Sequence, residues 1–204
     1  MTGLFVVFEG GDSVGKTTQV RLLAGYLAER GIDHVVTRQP GGTAIGAQLR
    51  GLVLDPSHGE VDPRAEALMY AADKAQHATE LIRPALERGA VVVCDRYVDS
   101  MIAYQGAGRA LDMADISRIA WWAVGGLRPD LTVILDADPS DAVATIAVKD
   151  RLESAGLDLH RRARAHCREV AAADPVHYLG LPARSDRHEL TATIAGHVAD
   201  ALAR

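Results

Sequence analysis

The sequence predicts an α/β fold, a five-stranded parallel sheet with helices on both faces. Three observations predict it. Strand-length apolar runs recur with few alternating polar residues, as strands buried on both faces require. Each run is followed by a longer amphipathic stretch of the kind that crosses back over a parallel sheet. The turn after the first run is glycine-rich and opens directly into a helical pattern.

The first run, Leu4 to Glu9, leads into a helical pattern from Lys16 to Arg30 that Gly31 closes. The second run, His34 to Thr37, precedes a helix over Ala44 to Leu54. A long pattern from Arg64 to Arg88 ends at Gly89, and Pro84 inside it must kink or split the helix, because its ring crowds the preceding turn and it lacks an N–H. The third strand, Ala90 to Cys94, is followed by a helix from Met113 to Gly125 carrying Trp121 and Trp122, read as packing within the domain or across a dimer interface. The fourth strand is Leu131 to Leu135, with helices Ser140 to Val148 and Ala155 to Ala173. Val176 to Leu181 forms the fifth strand, and a helix from Arg187 to Arg204 closes the chain.

At 204 residues the chain fits one compact domain, and 48% apolar with 24% charged residues excludes a disordered or fibrous chain. Lys plus Arg number 22 against 27 Asp plus Glu, a net charge of −5, which argues against nucleic-acid or anionic-membrane partners. Cys94 and Cys167 are too few for a disulfide framework, Cys94 lies inside an apolar run, and no Cys/His zinc spacing occurs. With no secretory leader pattern and no membrane-length apolar window, the expected location is cytoplasmic.

The turn after the first strand reads Gly10-Gly11-Asp12-Ser13-Val14-Gly15-Lys16-Thr17, the G-x-x-x-x-G-K-[ST] phosphate loop, and Thr18 continues it into the helix. Its glycines let successive N–H groups turn inward, the helix N-terminus adds partial positive charge, Lys16 reaches β- and γ-phosphates, and Thr17 offers a hydroxyl to Mg²⁺. Such a loop alone serves GTPases, motor ATPases and small-molecule kinases alike. The guanine-reading N-K-x-D is missing, and motor ATPases usually have longer cores. Two further segments fall at the carboxyl ends of strands two and three, the edge where open α/β sheets bind ligands. They are Thr37-Arg38-Gln39-Pro40-Gly41-Gly42-Thr43, with Arg50 beyond, and Asp95-Arg96-Tyr97. Asp95 is placed to order a Mg²⁺-bound water and Arg96 to fork onto a phosphate.

In these segments taken together the sequence resembles a bacterial-type thymidylate kinase. The resemblance is carried by Phe8-Glu9-Gly10-Gly11-Asp12, the Thr37 to Thr43 turn, Leu68 to His77, Asp95-Arg96-Tyr97 with Ser100 and Tyr104-Gln105-Gly106, Leu135-Asp136, and Asp150-Arg151-Leu152-Glu153. It implies a P-loop nucleoside monophosphate kinase architecture in a single domain over residues 1–204, with a short lid at about 147–153. The implied reaction is ATP + dTMP → ADP + dTDP, with Mg²⁺ as cofactor, ATP as co-substrate, and a homodimer as the assembly. The family's P-loop aspartate, which holds the deoxyribose 3′-hydroxyl, falls on Asp12. Arg50 and Arg96 would hold the acceptor phosphate, Tyr70 would stack on thymine, and Lys74 would donate to its O4. Tyr104 would exclude a 2′-hydroxyl, Ser100 and Gln105 would line the base pocket, and Glu153 would stand near the metal. Lys149 and Arg151 would close over the γ-phosphoryl group as catalytic lid cations beside Lys16 and Arg96.

Three positions depart from the family pattern: Lys74 replaces an arginine, Gln39 stands where many relatives carry Glu, and the lid has only two basic residues. They keep two other readings in view, a kinase for dUMP or a modified pyrimidine, and a nucleotide-binding relative with weak catalysis.

Overall fold

The computed structural model describes residues 3–140, 150–152, 154 and 156–203. Most of the expected Ser140 to Val148 helix, together with Lys149 and Glu153, lies outside the described residues.

Five parallel strands form one sheet: β1 (Phe5–Gly10), β2 (His34–Arg38), β3 (Val91–Asp95), β4 (Leu131–Asp136) and β5 (Tyr178–Pro182), in the order β2-β3-β1-β4-β5. The chain therefore reverses direction across the sheet on either side of β1, and the carboxyl end of β1 becomes the crevice where ligands bind. The registers Phe8 with Asp95, Arg38 with Asp95, and Gly10 with Leu135 bring the ends of β1, β2, β3 and β4 to that crevice together. β1, β3 and β4 are buried on both faces. The expectation of full burial fails for β2 and β5, because both are edge strands; Val36 is 48% exposed.

Alternation along β1 splits the core into two layers. Phe5 and Val7, with Val92 and Cys94, share a core with Ala67 and Ala71 of helix α3 (Pro63–His77), Ile116 and Ala120 of helix α6 (Met113–Ala123), and Ile82 and Tyr97. Val6 and Phe8, with Val91, Val93, Val133 and Leu135, pack on α1 (Lys16–Glu29) and the closing helix α8 (Arg187–Leu202) through Leu23, Leu27, Ile194 and Val198. A smaller cluster joins Ala103 and Tyr104 to Leu159, Ala163 and Cys167 of α7 (Leu157–Ala173). Asp62, Asp112 and Asp186 cap α3, α6 and α8, and Thr43 caps α2 (Ala44–Leu54), each accepting a backbone N–H of the first turn.

The long 64–88 pattern is split as Pro84 requires. α3 ends at His77, a π-helical turn spans Ala78–Ile82, and a short α4 (Arg83–Glu87) follows. The wider turn stands just ahead of the proline, where a regular helix would need the missing N–H. The sequence pattern predicts no element where α5 (Val98–Met101) runs into a π-helical stretch, Ile102–Gly108, nor at the 3-10 turn Pro56–His58. The start of β5 also shifts, since Asp174 accepts the N–H groups of His177 and Tyr178 and turns the chain before the strand begins. Among the described residues no helix is long and apolar enough to cross a membrane.

Leu27 is fully buried between α1 and the sheet, about 16 Å along the helix from Lys16. Leu27→Ala should cost about 3 kcal/mol and lower Tm by roughly 6–12 °C with activity at 25 °C unchanged. Calorimetry and a rate measurement on the same sample check both halves.

Candidate functional site

β1 ends in the phosphate loop. Gly10 has φ 131°, and a Cβ there would lie 2.3 Å from the Leu135 carbonyl oxygen, so only glycine lets the loop leave beside β4. Gly15, at φ 96°, starts α1 with no side-chain cap, which leaves the first N–H groups of the helix for an anion. The Lys16 ammonium curls back to the Gly10 carbonyl at 3.2 Å and to that of Gly11. Burial, with the Arg96 cation beside it, brings Lys16 down to about 8. Thr17 donates its hydroxyl to Asp95 Oδ2 at 3.0 Å.

Two buried charges tie this loop to the chain leaving β3. Glu9, 1% exposed, accepts the backbone N–H of Tyr97 at 2.7 Å, that of Ser100 at 3.1 Å, and the Ser100 hydroxyl at 2.5 Å. Arg96 returns the connection. Its Nη1 reaches the Gly10 carbonyl at 3.0 Å and Ser100 Oγ at 3.1 Å, and its Nη2 pairs closely with Asp12. Its backbone sits at φ 70°, unusual for a residue with a side chain. Burial disfavours both charges of the pair, yet each stabilises the other: Asp12 is held below the usual carboxylate range, and Arg96 stays firmly cationic.

Two cavities meet at this pair. An open one of about 1530 Å³ lies over Lys16, Thr17, Thr18 and Asp95. A more enclosed one of about 610 Å³ is lined by Tyr70, Lys74, Ser100, Tyr104 and Gln105. Asp12, Gln39, Arg50 and Arg96 line both. Thr17 and Asp95 offer adjacent hard oxygens at the first cavity, suited to Mg²⁺, which keeps several waters and takes few protein ligands. No cluster of three His, Cys, Asp or Glu groups able to hold a metal occurs among the described residues, so the donor set does not suit an all-protein metal cage.

The family model for thymidylate kinase matches residues 8–194. This chain belongs to the thymidylate kinase family. It is 55% identical over 204 residues to the thymidylate kinase of Cutibacterium acnes, covering 100% of both chains. It is 47% identical over 202 residues to that of Bifidobacterium longum strain DJO10A, covering 97% of this chain and 98% of the relative. The crystal structure of thymidylate kinase from Ehrlichia chaffeensis superimposes with a TM-score of 0.78 at 29% identity, over 100% of each chain.

The departures from the family pattern acquire partners. Lys74, 2% exposed, donates to Gln39 Oε1 and to the Tyr97 carbonyl, each at 2.8 Å, leaving one ammonium hydrogen. Because Lys74 only donates, Gln39 must present its oxygen there and its amide nitrogen to His77 Nδ1, 2.9 Å away. His77 is then an acceptor at Nδ1 and donates from Nε2 to Thr37 Oγ1 at 2.7 Å. A glutamate at 39 could accept from Lys74 but could not donate to His77 in this tautomer.

Arg151 is placed otherwise than expected of a lid cation. Its guanidinium pairs with the fully buried Glu66 and donates to the Val53 carbonyl at 2.9 Å, and it does not line the cavity over Lys16. Glu66 also pairs with Arg109, Nη2 to Oε2 at 3.0 Å, and accepts the Gln105 amide at 2.9 Å. Arg50 donates to the Pro40 carbonyl at 3.1 Å, and the Ser100 hydroxyl is taken up by Glu9 and Arg96. Burial raises Tyr70 and Tyr104 above the ordinary phenol range, so both are neutral. Sequence reasoning missed Glu66, His77 and Arg109. A signal existed on α3, where Glu66, Tyr70, Asp73 and His77 recur at the spacing of one helix face and form a buried stripe that is mostly polar.

Burial, with Lys74 nearby, lowers His77 from 6.5 to about 4. As pH falls through this window the unfolded chain takes a proton that the folded state refuses, so stability drops by about 2–3 kcal/mol near pH 4.5. Asp73 and Asp99 are raised by burial, Asp99 to about 7, and act in the opposite sense, so the comparison must be with His77→Gln, which keeps both. In urea unfolding at pH 7 and pH 4.5, the stability of wild type relative to His77→Gln should fall by that amount. A constant gap would contradict it.

Proposed function

We propose that this chain transfers the γ-phosphoryl group of ATP to dTMP, giving ADP and dTDP. The observation that carries the reading is the meeting of the two cavities at Arg96, Asp12 and Arg50, with a phosphate loop on one side and a buried pocket of Tyr70, Lys74 and Gln105 on the other. Membership of the thymidylate kinase family supports it.

A phosphate monoester is already largely a dianion near pH 7, since its second pKa is about 6. The acceptor needs no general base. What the site must do is align two anions and neutralise charge. Lys16 and the N–H groups opening α1 would hold the β- and γ-phosphates. Arg96 and Arg50 would hold the acceptor phosphate, with Asp12 on the 3′-hydroxyl and Tyr104 against C2′. Tyr70 would face the base, and the remaining hydrogen of Lys74 would meet a base carbonyl. Mg²⁺, held by Thr17 and through water by Asp95, would supply further charge neutralisation on phosphate oxygens. In this reading Arg151 anchors residues 150–152 at the edge of the acceptor cavity, which Asp150 and Leu152 line. Coupled ADP release, assayed with and without dTMP and across a panel of monophosphates, tests the assignment. The expected order is dTMP, then dUMP, then UMP, with Lys16→Ala at least 10²-fold slower in a folded protein. Equal kcat/KM for UMP and dTMP would overturn it.

We also infer a homodimer. α3 and α6 border an apolar groove of about 1130 Å³ in which Leu68 is 58% and Trp122 81% exposed. Trp121 instead lies under the Arg128 guanidinium, 4.4 Å from its ring centroid. Apolar surface of this kind favours association. The paired change Leu68→Glu and Trp122→Glu should move the particle seen by light scattering from twice 21.7 kDa to 21.7 kDa. A wild-type monomer at micromolar concentration would rule the dimer out.

A further inference from the structure

Resting on the kinase reading above, we propose that Glu66 is a positioning residue for base selectivity, fixing which end of the Gln105 amide faces the acceptor cavity. Glu66 is fully buried on α3. Its Oε1 accepts from Gln105 Nε2 at 2.9 Å and Arg109 Nε at 3.2 Å; its Oε2 accepts from Arg109 Nη2 at 3.0 Å and from Arg151. Two guanidinium groups on one carboxylate keep it ionised, and an ionised carboxylate only accepts. The choice of amide orientation is therefore chemical. Gln105 must turn its NH₂ toward Glu66, and its oxygen points the other way.

That oxygen has no hydrogen bond among the described residues, nor is it one of their sealed, unpartnered polar atoms, which are Asp73 Oδ2 and His160 Nε2. Gln105 is 1% exposed and lines the acceptor cavity with Tyr70 and Lys74. On this proposal its Oε1, turned away from Glu66 on a side chain that lines the cavity, has the role of a fixed acceptor for the base. A pyrimidine with N3–H, such as thymine or uracil, satisfies it; cytosine brings a lone pair at N3 and leaves a buried acceptor facing an acceptor. Sites built around such a hydrogen bond reject the wrong partner far more strongly than sites that sense a methyl group. Glu66 itself is not among the residues that line the cavity.

The experiment measures kcat/KM for dTMP, dUMP and dCMP. Wild-type turnover of dTMP is established first, and its absence would remove the kinase reading itself. In Glu66→Gln the neutral amide at 66 can donate as well as accept, so Gln105 turns freely, and the preference for dTMP over dCMP should fall at least tenfold. The dTMP to dUMP ratio, which reports the methyl contact, should stay within twofold, whereas a purely structural loss would lower all three together. Glu66→Asp, still an acceptor only, should keep the dTMP to dCMP ratio within threefold of wild type. Gln105→Met removes the reader and should lose the same preference, with no further loss when combined with Glu66→Gln. If Glu66→Gln does not fold, Gln105→Met and Glu66→Asp still decide the matter. With dTMP turned over, an unchanged dTMP to dCMP ratio in Glu66→Gln or Gln105→Met, or a collapsed one in Glu66→Asp, would overturn the role given to Glu66.

Discussion

The structure depends on a reciprocal clasp between the ends of β1 and β3. Glu9 leaves β1 and takes the N–H groups that open the chain after β3; Arg96 leaves β3 and takes the Gly10 carbonyl and the Asp12 carboxylate of the loop after β1. Neither charge could be buried alone, because stripping water from an ion costs several kcal/mol unless hydrogen bonds replace it. Each is buried because the other strand supplies those bonds. The loop after β1 and the chain opening after β3 are therefore tied together by the same two side chains.

A second polar system supports the first from α3. A helix facing the core normally presents an apolar stripe, yet this one buries Glu66, Asp73, Lys74 and His77. The cost is limited by assigning nearly every donor and acceptor. Lys74 fixes Gln39, Gln39 fixes His77, and His77 ends on Thr37. Asp73 accepts the Gly41 N–H and leaves one oxygen unpartnered. Chains of this kind specify one orientation at each amide and ring, so the acceptor cavity is shaped before any ligand enters.

Much of this was legible in the sequence. The strands and the phosphate loop announce themselves locally, by apolar runs and by glycines whose backbone demands no other residue meets. Asp95 and Arg96 were legible because they end a strand. What escaped was set by partners distant in the chain. Arg151 reads as a free lid cation until Glu66, 85 positions away, is found against it. Gln39 reads as a lost charge until it is found bridging Lys74 and His77, 35 and 38 positions away. The 98–108 segment escaped for another reason: its π-helical turns break the 3.6-residue period, and two glycines within it read as loop.

Lys16 and Arg96 already hold backbone carbonyls, and they share that of Gly10. In the proposed reaction a phosphate reaching them would displace an existing acceptor rather than meet a bare cation, so ligand capture would be an exchange whose net gain is the difference between two satisfied states. The same holds in reverse. As product departs, each cation can return to an adjacent carbonyl without passing through an unpaired state in a poorly hydrated cleft. On that reading the Gly10 carbonyl would serve as a parking place for charge between turnovers, which suits a catalyst that must empty its site once every cycle.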